Sequence, residues 1–164
     1  MDIRTDTLDE RHNTDRRSSV LRLQDGRKLG YAEFGDPDGA PVIALHGTPG
    51  SRLMFALADQ EARMRNLRII APERAGYGLS DAKDFRTLHD ASEDIAGLAD
   101  SLDLKKFALI GVSGGGPFAV ALAASNPERI KLLALVSPVG PIADVADRMS
   151  AWHRQLFTGL ARSS

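Results

Sequence analysis

Residues 107–125 have the sequence FALIGVSGGGPFAVALAAS, and this stretch decides the fold. Its first four residues are apolar and predict a buried strand, and the glycine-rich segment that follows interrupts regular structure. The remaining residues are small and apolar and predict a helix, with Pro117 in the first turn, where a missing N–H costs little. Residues 111–115 form the pattern G-x-S-x-G, which predicts a nucleophile elbow that holds the hydroxyl of Ser113 free above the sheet edge.

Other glycine-loop patterns compete with the elbow. Residues 114–119 fit G-x-G-x-x-A, a dinucleotide-binding fingerprint, but the next predicted strand, 130–136, ends in a serine and a proline where that fingerprint needs an acidic residue. A phosphate-binding loop needs Lys and then Ser or Thr after its last glycine, and Pro117 and Phe118 stand there instead. A tight strand-to-helix turn with a passive serine stays open as the remaining alternative.

The composition is that of a globular protein with one domain. The chain has 164 residues, of which 43% are hydrophobic and 26% charged, and a formal net charge of −1. A near-neutral charge gives no reason to expect a nucleic acid or an acidic membrane surface as a partner. The N-terminus has no apolar signal region and no run approaches 18 apolar residues, so we expect a cytoplasmic protein without a membrane span.

No residue pattern indicates a metal or a cofactor. The chain has no cysteine, which excludes disulfides and thiolate chemistry within it. Its four histidines are scattered, without H-E-x-x-H or another spacing typical of metal ligands. We therefore expect neither a bound metal ion nor an organic cofactor.

The chain divides into three segments. Residues 1–18 are charged and predict a disordered leader, residues 19–138 form the core, and residues 139–164 begin a helical cap. Within the core, a hairpin is followed by strands that alternate with helices, which predicts an α/β fold with a mostly parallel sheet and helices on both faces. The predicted strands are 19–23, 28–34, 41–45, 67–71, 107–110 and 130–136.

Two of the predicted helices have an apolar face. The helix over 52–65 has Leu53, Leu57 and Met64 near one face. The next helix begins at the capping pair Thr87 and Asp90. Its apolar face consists of Ala91, Ile95, Leu98, Ala99 and Leu102, at helical spacing.

The two glycine-rich loops are expected to lie side by side. The segment 46–50, HGTPG, follows the strand 41–45 directly, and the loop 111–116 follows the strand 107–110. Ligands of such sheets bind at the carboxyl ends of the strands, and both loops lie at that end.

Three motifs in this order resemble the α/β-hydrolase superfamily, in the branch with proline iminopeptidase-like and esterase-like enzymes. They are HGTPGSR at 46–52, PERAGYGLSD at 72–81 and GVSGGGP at 111–117. The resemblance covers roughly residues 19–138. One small departure is ERAG, where relatives more often have DRPG.

The resemblance implies a role for each motif. Ser113 would be the nucleophile, and the backbone N–H groups of Thr48 and Gly114 would be the oxyanion donors. The loop 73–81 would be a rim and packing element rather than a catalytic one. The residues that would support the oxyanion loop are His46, Gly47, Pro49 and Gly50, with the histidine bracing the loop rather than acting as the base.

The C-terminal segment departs from the family pattern. Relatives have eight core strands, with a catalytic acid after a late strand and a histidine after the last, and this chain stops after the sixth. Asp144, Asp147 and His153 follow Ser113 in the right order but lie within ten residues of one another on one helical stretch. A triad needs an acid and a base presented from separate loops, so we do not expect these residues to form one.

The sequence therefore predicts a serine hydrolase of esters or amides that is weak or inactive as this truncated chain. The alternative is a non-catalytic α/β-hydrolase-like module that binds a small ligand, and a third is a nucleotide-binding α/β protein. Missing final strands would leave one sheet edge unpaired, so self-association through that edge is expected.

Overall fold

The computed structural model describes residues 17–83, 87–140, 146–152 and 155. Its sheet has six strands in the order β1-β2-β4-β3-β5-β6. Strands β1 and β2 pair antiparallel, as do β2 and β4, whereas β3 pairs parallel with β4 and β5, and β5 with β6. The strands are β1 (Ser19–Arg22), β2 (Lys28–Gly35), β3 (Ala40–Leu45), β4 (Leu67–Pro72), β5 (Phe107–Val112) and β6 (Ile130–Val136).

The predicted α/β architecture is confirmed, and each strand lies within two residues of its predicted bounds. Its helices are α1 (Asp59–Met64), α2 (Leu88–Ser101) and α3 (Gly116–Ser125), and a 3₁₀ helix, Arg52–Ala58, precedes α1. The β1–β2 hairpin turns at Gly26, whose φ of +87° suits glycine.

The sheet buries a core on each face. On one face α2 and α3 cover a cluster that includes Ile43, Leu45 and Leu109. On the other face the 3₁₀ helix and α1 pack against residues that include Phe34 and Ile69. Because side chains alternate along a strand, helices on both faces require the near-continuous apolar runs of the central strands.

The prediction for residues 52–65 was wrong in its details. The segment begins as a 3₁₀ helix and only its last part is α-helical. Leu53, Leu57 and Met64 do not face the core: their exposed fractions are 46%, 97% and 65%. The buried side is made by smaller residues and one aromatic ring, namely Phe55, Ala56, Ala58 and Ala62.

The capping pair of α2 is confirmed. Thr87 Oγ1 accepts the N–H of Asp90 at 3.1 Å, and the Asp90 carboxylate accepts the N–H of Thr87 at 2.7 Å. The hydrogen bonds from Thr87, with a further one from Lys83, lower the pKa of Asp90 to about 2. The predicted apolar face is also confirmed, because Ala91, Ile95, Leu98 and Ala99 are buried and Leu102 packs against them.

Strand β6 forms an edge of the sheet in the described part of the chain. Its only partner strand there is β5. Leu132 and Val136, which share one face of β6, are 64% and 51% exposed. This edge therefore presents apolar side chains next to unpaired backbone groups.

Some predictions concern residues outside the described ranges. They include most of the leader, 1–16, and most of the cap, with Asp144 and His153 among its residues. Asp147 is described and is exposed in a short 3₁₀ turn, Ala146–Arg148. Within the described ranges, every helix is too short or too polar to span a lipid bilayer.

Candidate active site

Ser113 stands at the turn between β5 and α3. Its φ is +47°, in the left-handed region that serine seldom adopts. Such a conformation costs roughly 1–3 kcal/mol and persists only where the surroundings impose it. A single 3₁₀ turn, Ser113–Gly115, links the strand to the helix, and the N–H of Gly116 donates to the Ser113 carbonyl. The geometry is that of a strand-to-helix elbow with a strained residue at its tip.

Close packing around the elbow explains its glycines. A Cβ on Gly111 would lie 2.8 Å from both Ala119 Cβ and Gly116 Cα, closer than real Cβ atoms approach. A Cβ on Gly115 would overlap the carbonyl oxygen of Leu45 at the end of β3. These positions let α3 begin directly against two strands, which fixes Ser113 at the sheet edge.

The loop after β3 lies against this elbow, as the sheet topology predicts. A Cβ on Gly47 would lie 3.3 Å from Ser113 Cβ, and a Cβ on Gly114 would lie 3.3 Å from Thr48 N. The Thr48–Pro49 peptide bond is cis. Thr48 and Gly114 therefore lie next to each other, on the two loops that meet beside Ser113.

His46 is buried and uses both ring nitrogens. Its Nδ1 lies 2.8 Å from the Gly47 carbonyl oxygen, and because that oxygen can only accept, Nδ1 carries the proton. Its Nε2 accepts the backbone N–H of Arg74 at 3.4 Å. The ring also packs at 5.1 Å from the ring of Tyr77. A histidine engaged in this way is suited to bracing the loop and poorly suited to taking a proton from Ser113.

Burial lowers the pKa of His46, and the positive charge of Arg74 adds to this effect. The pKa of His46 in the folded chain is below the value of 6.5 for the unfolded chain, so the unfolded chain binds more protons on acidification. The contribution of neutral His46 to the free energy of unfolding is therefore fully present above pH 6.5 and is lost as the pH falls. The variant His46→Asn keeps a donor near the position of Nδ1 but does not titrate in this pH range. When the pH is lowered from about 7.5 to 5.5, its free energy of unfolding should therefore fall less than that of the wild type. Urea denaturation at a series of pH values measures this, and parallel curves for the two proteins would contradict it.

The structure adds a residue that the sequence did not single out. Arg74, two residues after β4, reaches across the sheet edge to both loops. Its Nη2 donates to Gly47 O at 3.0 Å and to Thr48 Oγ1 at 2.6 Å, and its Nη1 donates to Gly114 O at 3.1 Å. One signal was present in the sequence: β4 ends at the same sheet edge as β3 and β5.

A buried ion pair lies at the start of the 72–81 loop, next to Arg74 in the chain. Arg52 Nη1 donates to Glu73 Oε1 at 2.7 Å, and the Glu73 side chain is fully buried. The other oxygen of Glu73 accepts the N–H of Leu79 at 2.6 Å, which closes the turn of the 72–81 loop. Arg52 also donates to Arg17 O and to Ser18 Oγ, the last two residues of the predicted leader.

A cleft of about 260 Å³ lies between the 72–81 loop and the first turns of α2 and α3. Two aromatic rings flank the Arg74 guanidinium there, with Tyr77 at 4.8 Å and Phe118 at 4.9 Å. The lining is Arg74, Ala75, Tyr77, Thr87, Leu88 and Phe118. In the described part of the chain, no group of three or more His, Cys, Asp or Glu side chains could hold a metal ion.

Residues 40–163 match the family model of the alpha/beta hydrolase fold. The chain belongs to this family. The predicted superfamily is therefore confirmed. Non-heme chloroperoxidase of Streptomyces lividans is 35% identical over 138 residues, which are 78% of this chain and 47% of that protein. Proline iminopeptidase of Neisseria gonorrhoeae is 34% identical over 125 residues, which are 72% of this chain and 39% of the relative.

Solved structures of this family agree with the fold. A hypothetical protein of Pseudomonas aeruginosa PAO1 is 34% identical with a TM-score of 0.68, and the match covers 80% of this chain and 48% of that one. The epoxide hydrolase of Vigna radiata is 27% identical with a TM-score of 0.68, over 84% and 44% of the two chains. This α/β-hydrolase chain spans about half the length of the curated relatives it matches.

Proposed function

We propose that this α/β-hydrolase chain carries the nucleophile and the oxyanion site of a serine hydrolase that acts on esters or amides. The observation that carries the proposal is the left-handed backbone of Ser113 at the strand-to-helix turn, with a second loop in contact. The match to the alpha/beta hydrolase family and the likeness to an epoxide hydrolase support a hydrolytic function.

The reaction would run through an acyl-serine. Ser113 Oγ attacks the carbonyl carbon of the substrate, and the carbonyl oxygen takes the negative charge between the N–H groups of Thr48 and Gly114. The tetrahedral species collapses, the bond to the alcohol or amine breaks, and the leaving group takes up a proton. Water then attacks the acyl group, releases the acid and returns the proton to Ser113 Oγ.

None of the described histidines is placed to act as the general base of this reaction. The described histidines are His46, whose ring nitrogens are both engaged, and His89, which is exposed on α2 beside Glu93. Without a base Ser113 keeps an ordinary hydroxyl and is a poor nucleophile. We therefore expect this chain to hydrolyse p-nitrophenyl acetate no faster than its Ser113→Ala variant.

The cleft between the 72–81 loop and α3 shares Arg74 with the elbow and suits a small substrate group. Its walls are the rings of Tyr77 and Phe118 and the side chain of Leu88, so an apolar acyl or leaving group would be desolvated there. The names of the relatives cover several reactions, so the proposal stops at the class of esters and amides.

Covalent labelling tests the proposal, because it needs one attack and no turnover. With a fluorophosphonate, Ser113 Oγ forms a bond to phosphorus, the P–F bond breaks, and fluoride and a proton leave. Labelling without a base should be slow in absolute terms, but we expect peptide mapping to find Ser113 labelled roughly 100-fold faster than Ser125, an exposed serine at the other end of α3, because two N–H donors stabilise the attack.

The control variants are Ser113→Ala, which should lose the label, and Ser125→Ala, which should keep it. Equal labelling of the two serines would contradict the proposal. The non-catalytic alternative rests on the lack of a described base. It predicts that Ser113 reacts no faster than Ser125 while a small acyl ligand raises the melting temperature.

A further inference from the structure

We propose that Arg74 is a positioning residue that orients the oxyanion-binding peptide group of the loop after β3 and holds this loop against the elbow. This inference rests on the proposed function and assigns a task to a side chain outside the predicted oxyanion site. The Arg74 guanidinium contacts the two loops that carry the oxyanion donors. By holding these loops it would raise the rate of attack by Ser113 without touching the substrate.

The first peptide group joins Gly47 to Thr48. In a trans peptide the C=O and the N–H point in opposite directions, so a donor that fixes the Gly47 carbonyl also aims the Thr48 N–H. Two donors hold this carbonyl: Arg74 Nη2 at 3.0 Å and His46 Nδ1 at 2.8 Å. Hydrogen bonds to a carbonyl also polarise the peptide group, which makes its N–H a stronger donor.

The second peptide group joins Ser113 to Gly114, and a different set of donors holds it. Its carbonyl accepts the N–H of Gly116 and the N–H of Val139, the latter at 3.1 Å. These two donors belong to the backbone, which positions them without help from a side chain. The first peptide lies in a loop outside regular structure and relies on two side chains, of which Arg74 carries the charge.

Arg74 also fixes the distance between the loops. Its Nη1 donates to Gly114 O at 3.1 Å while Nη2 holds the Gly47–Thr48 segment. The rigid planar fork of a guanidinium can hold both loops at once, whereas a lysine ammonium could hold one. The rings of Tyr77 and Phe118 flank the guanidinium and restrict its movement.

The kinetic test uses the fluorophosphonate reaction of the 164-residue chain with Arg74→Lys, Arg74→Gln and Arg74→Ala. We expect the maximal labelling rate of Ser113 to fall about 10- to 100-fold in the alanine variant, with the half-saturating probe concentration nearly unchanged. The lysine and glutamine variants should recover part of the rate. The matched control is Arg129→Ala, since Arg129 also donates to a carbonyl, Leu104 O at 2.7 Å, and packs on a ring, Phe107 at 5.6 Å.

A second readout does not depend on reactivity. In ¹H–¹⁵N spectra, loss of the Arg74 contacts should move the amide signals of Thr48 and Gly115, whose peptide carbonyls Arg74 holds. The amide of Gly114 should move less, and Arg129→Ala should move none of the three. The lysine and glutamine variants give the same comparison if the alanine variant does not fold.

The outcomes separate the two proposals. A wild-type rate in Arg74→Ala, or unmoved Thr48 and Gly115 signals, overturns the role of Arg74. If wild-type Ser113 is not labelled selectively, the proposed function fails and the amide signals alone decide the positioning role. A rate loss equal to that of Arg129→Ala would assign Arg74 to general stability and would also overturn the proposal.

Discussion

Arg52→Met is expected to lower the free energy of unfolding by about 3–5 kcal/mol. The variant leaves the Glu73 carboxylate without its ionic partner in a fully buried position. A buried charge without a partner is costly, whereas an ion pair that is replaced as a whole by apolar groups often costs little. Glu73 also closes the 72–81 loop through Leu79, so the damage should extend to the segment that carries Arg74.

Urea denaturation measures this effect against a matched control. Arg65→Met removes an exposed ion pair with Glu61 at 2.6 Å, and such pairs contribute roughly 0–1 kcal/mol. The double variant Arg52→Met/Glu73→Gln, which removes both charges, should recover part of the loss. A single Arg52→Met variant as stable as Arg65→Met would refute the role of the buried pair.

The second large effect concerns strand β6. We propose that this chain self-associates through that edge with a second copy of itself. Leu132 and Val136 lie on one face of β6, and each buried apolar side chain contributes roughly 1.5–3 kcal/mol. We expect the double variant Leu132→Lys/Val136→Lys to weaken association by on the order of 100-fold or more, since charges on an edge strand oppose pairing.

Analytical ultracentrifugation over a range of concentrations measures the association. The matched control is Leu57→Lys/Met64→Lys, which removes two side chains that are 97% and 65% exposed on another surface. The control should associate like wild type. If both double variants dissociate alike, association is driven by general apolar exposure and the β6 interface is wrong.

The strands were predictable because their signal is local. In a parallel sheet covered on both faces, central strands appear as short apolar runs, and glycine or proline follows where they end. The capping pair of α2 and the elbow after β5 are also local patterns, with all their residues within a few positions. The sequence therefore predicted the fold, and it also predicted that the loops of Thr48 and Ser113 lie at the same edge of the sheet.

The segment 52–65 was harder because its apolar residues lie on both sides. Leu53 and Leu57 have helical spacing, but the core beneath them accepts small residues such as Ala62 beside Gly35. A Cβ on Gly35 would come within 2.7 Å of Ala62 Cβ, which shows how closely α1 approaches the sheet. Helical spacing alone does not show which row of apolar residues fits the narrow space between α1 and the sheet.

Arg74 and Glu73 were missed for a different reason. Their partners, Gly47, Gly114 and Arg52, are between 21 and 40 residues away along the chain. A charged residue in a loop is usually solvated, so composition favours an exposed rim at this position. These side chains lie at the site because the parallel strands β3, β4 and β5 end at the same edge of the sheet, which composition does not reveal.

The central claim is that Ser113 attacks an acyl carbon while Thr48 and Gly114 hold the developing oxyanion. A crystal structure of the chain after reaction with a fluorophosphonate tests it most directly, because the phosphonyl oxygen stands in for the oxyanion. We expect phosphorus bonded to Ser113 Oγ and its oxygen about 2.7–3.1 Å from both backbone nitrogens. An adduct on another residue, or an oxygen that faces solvent away from Thr48 and Gly114, would contradict the account.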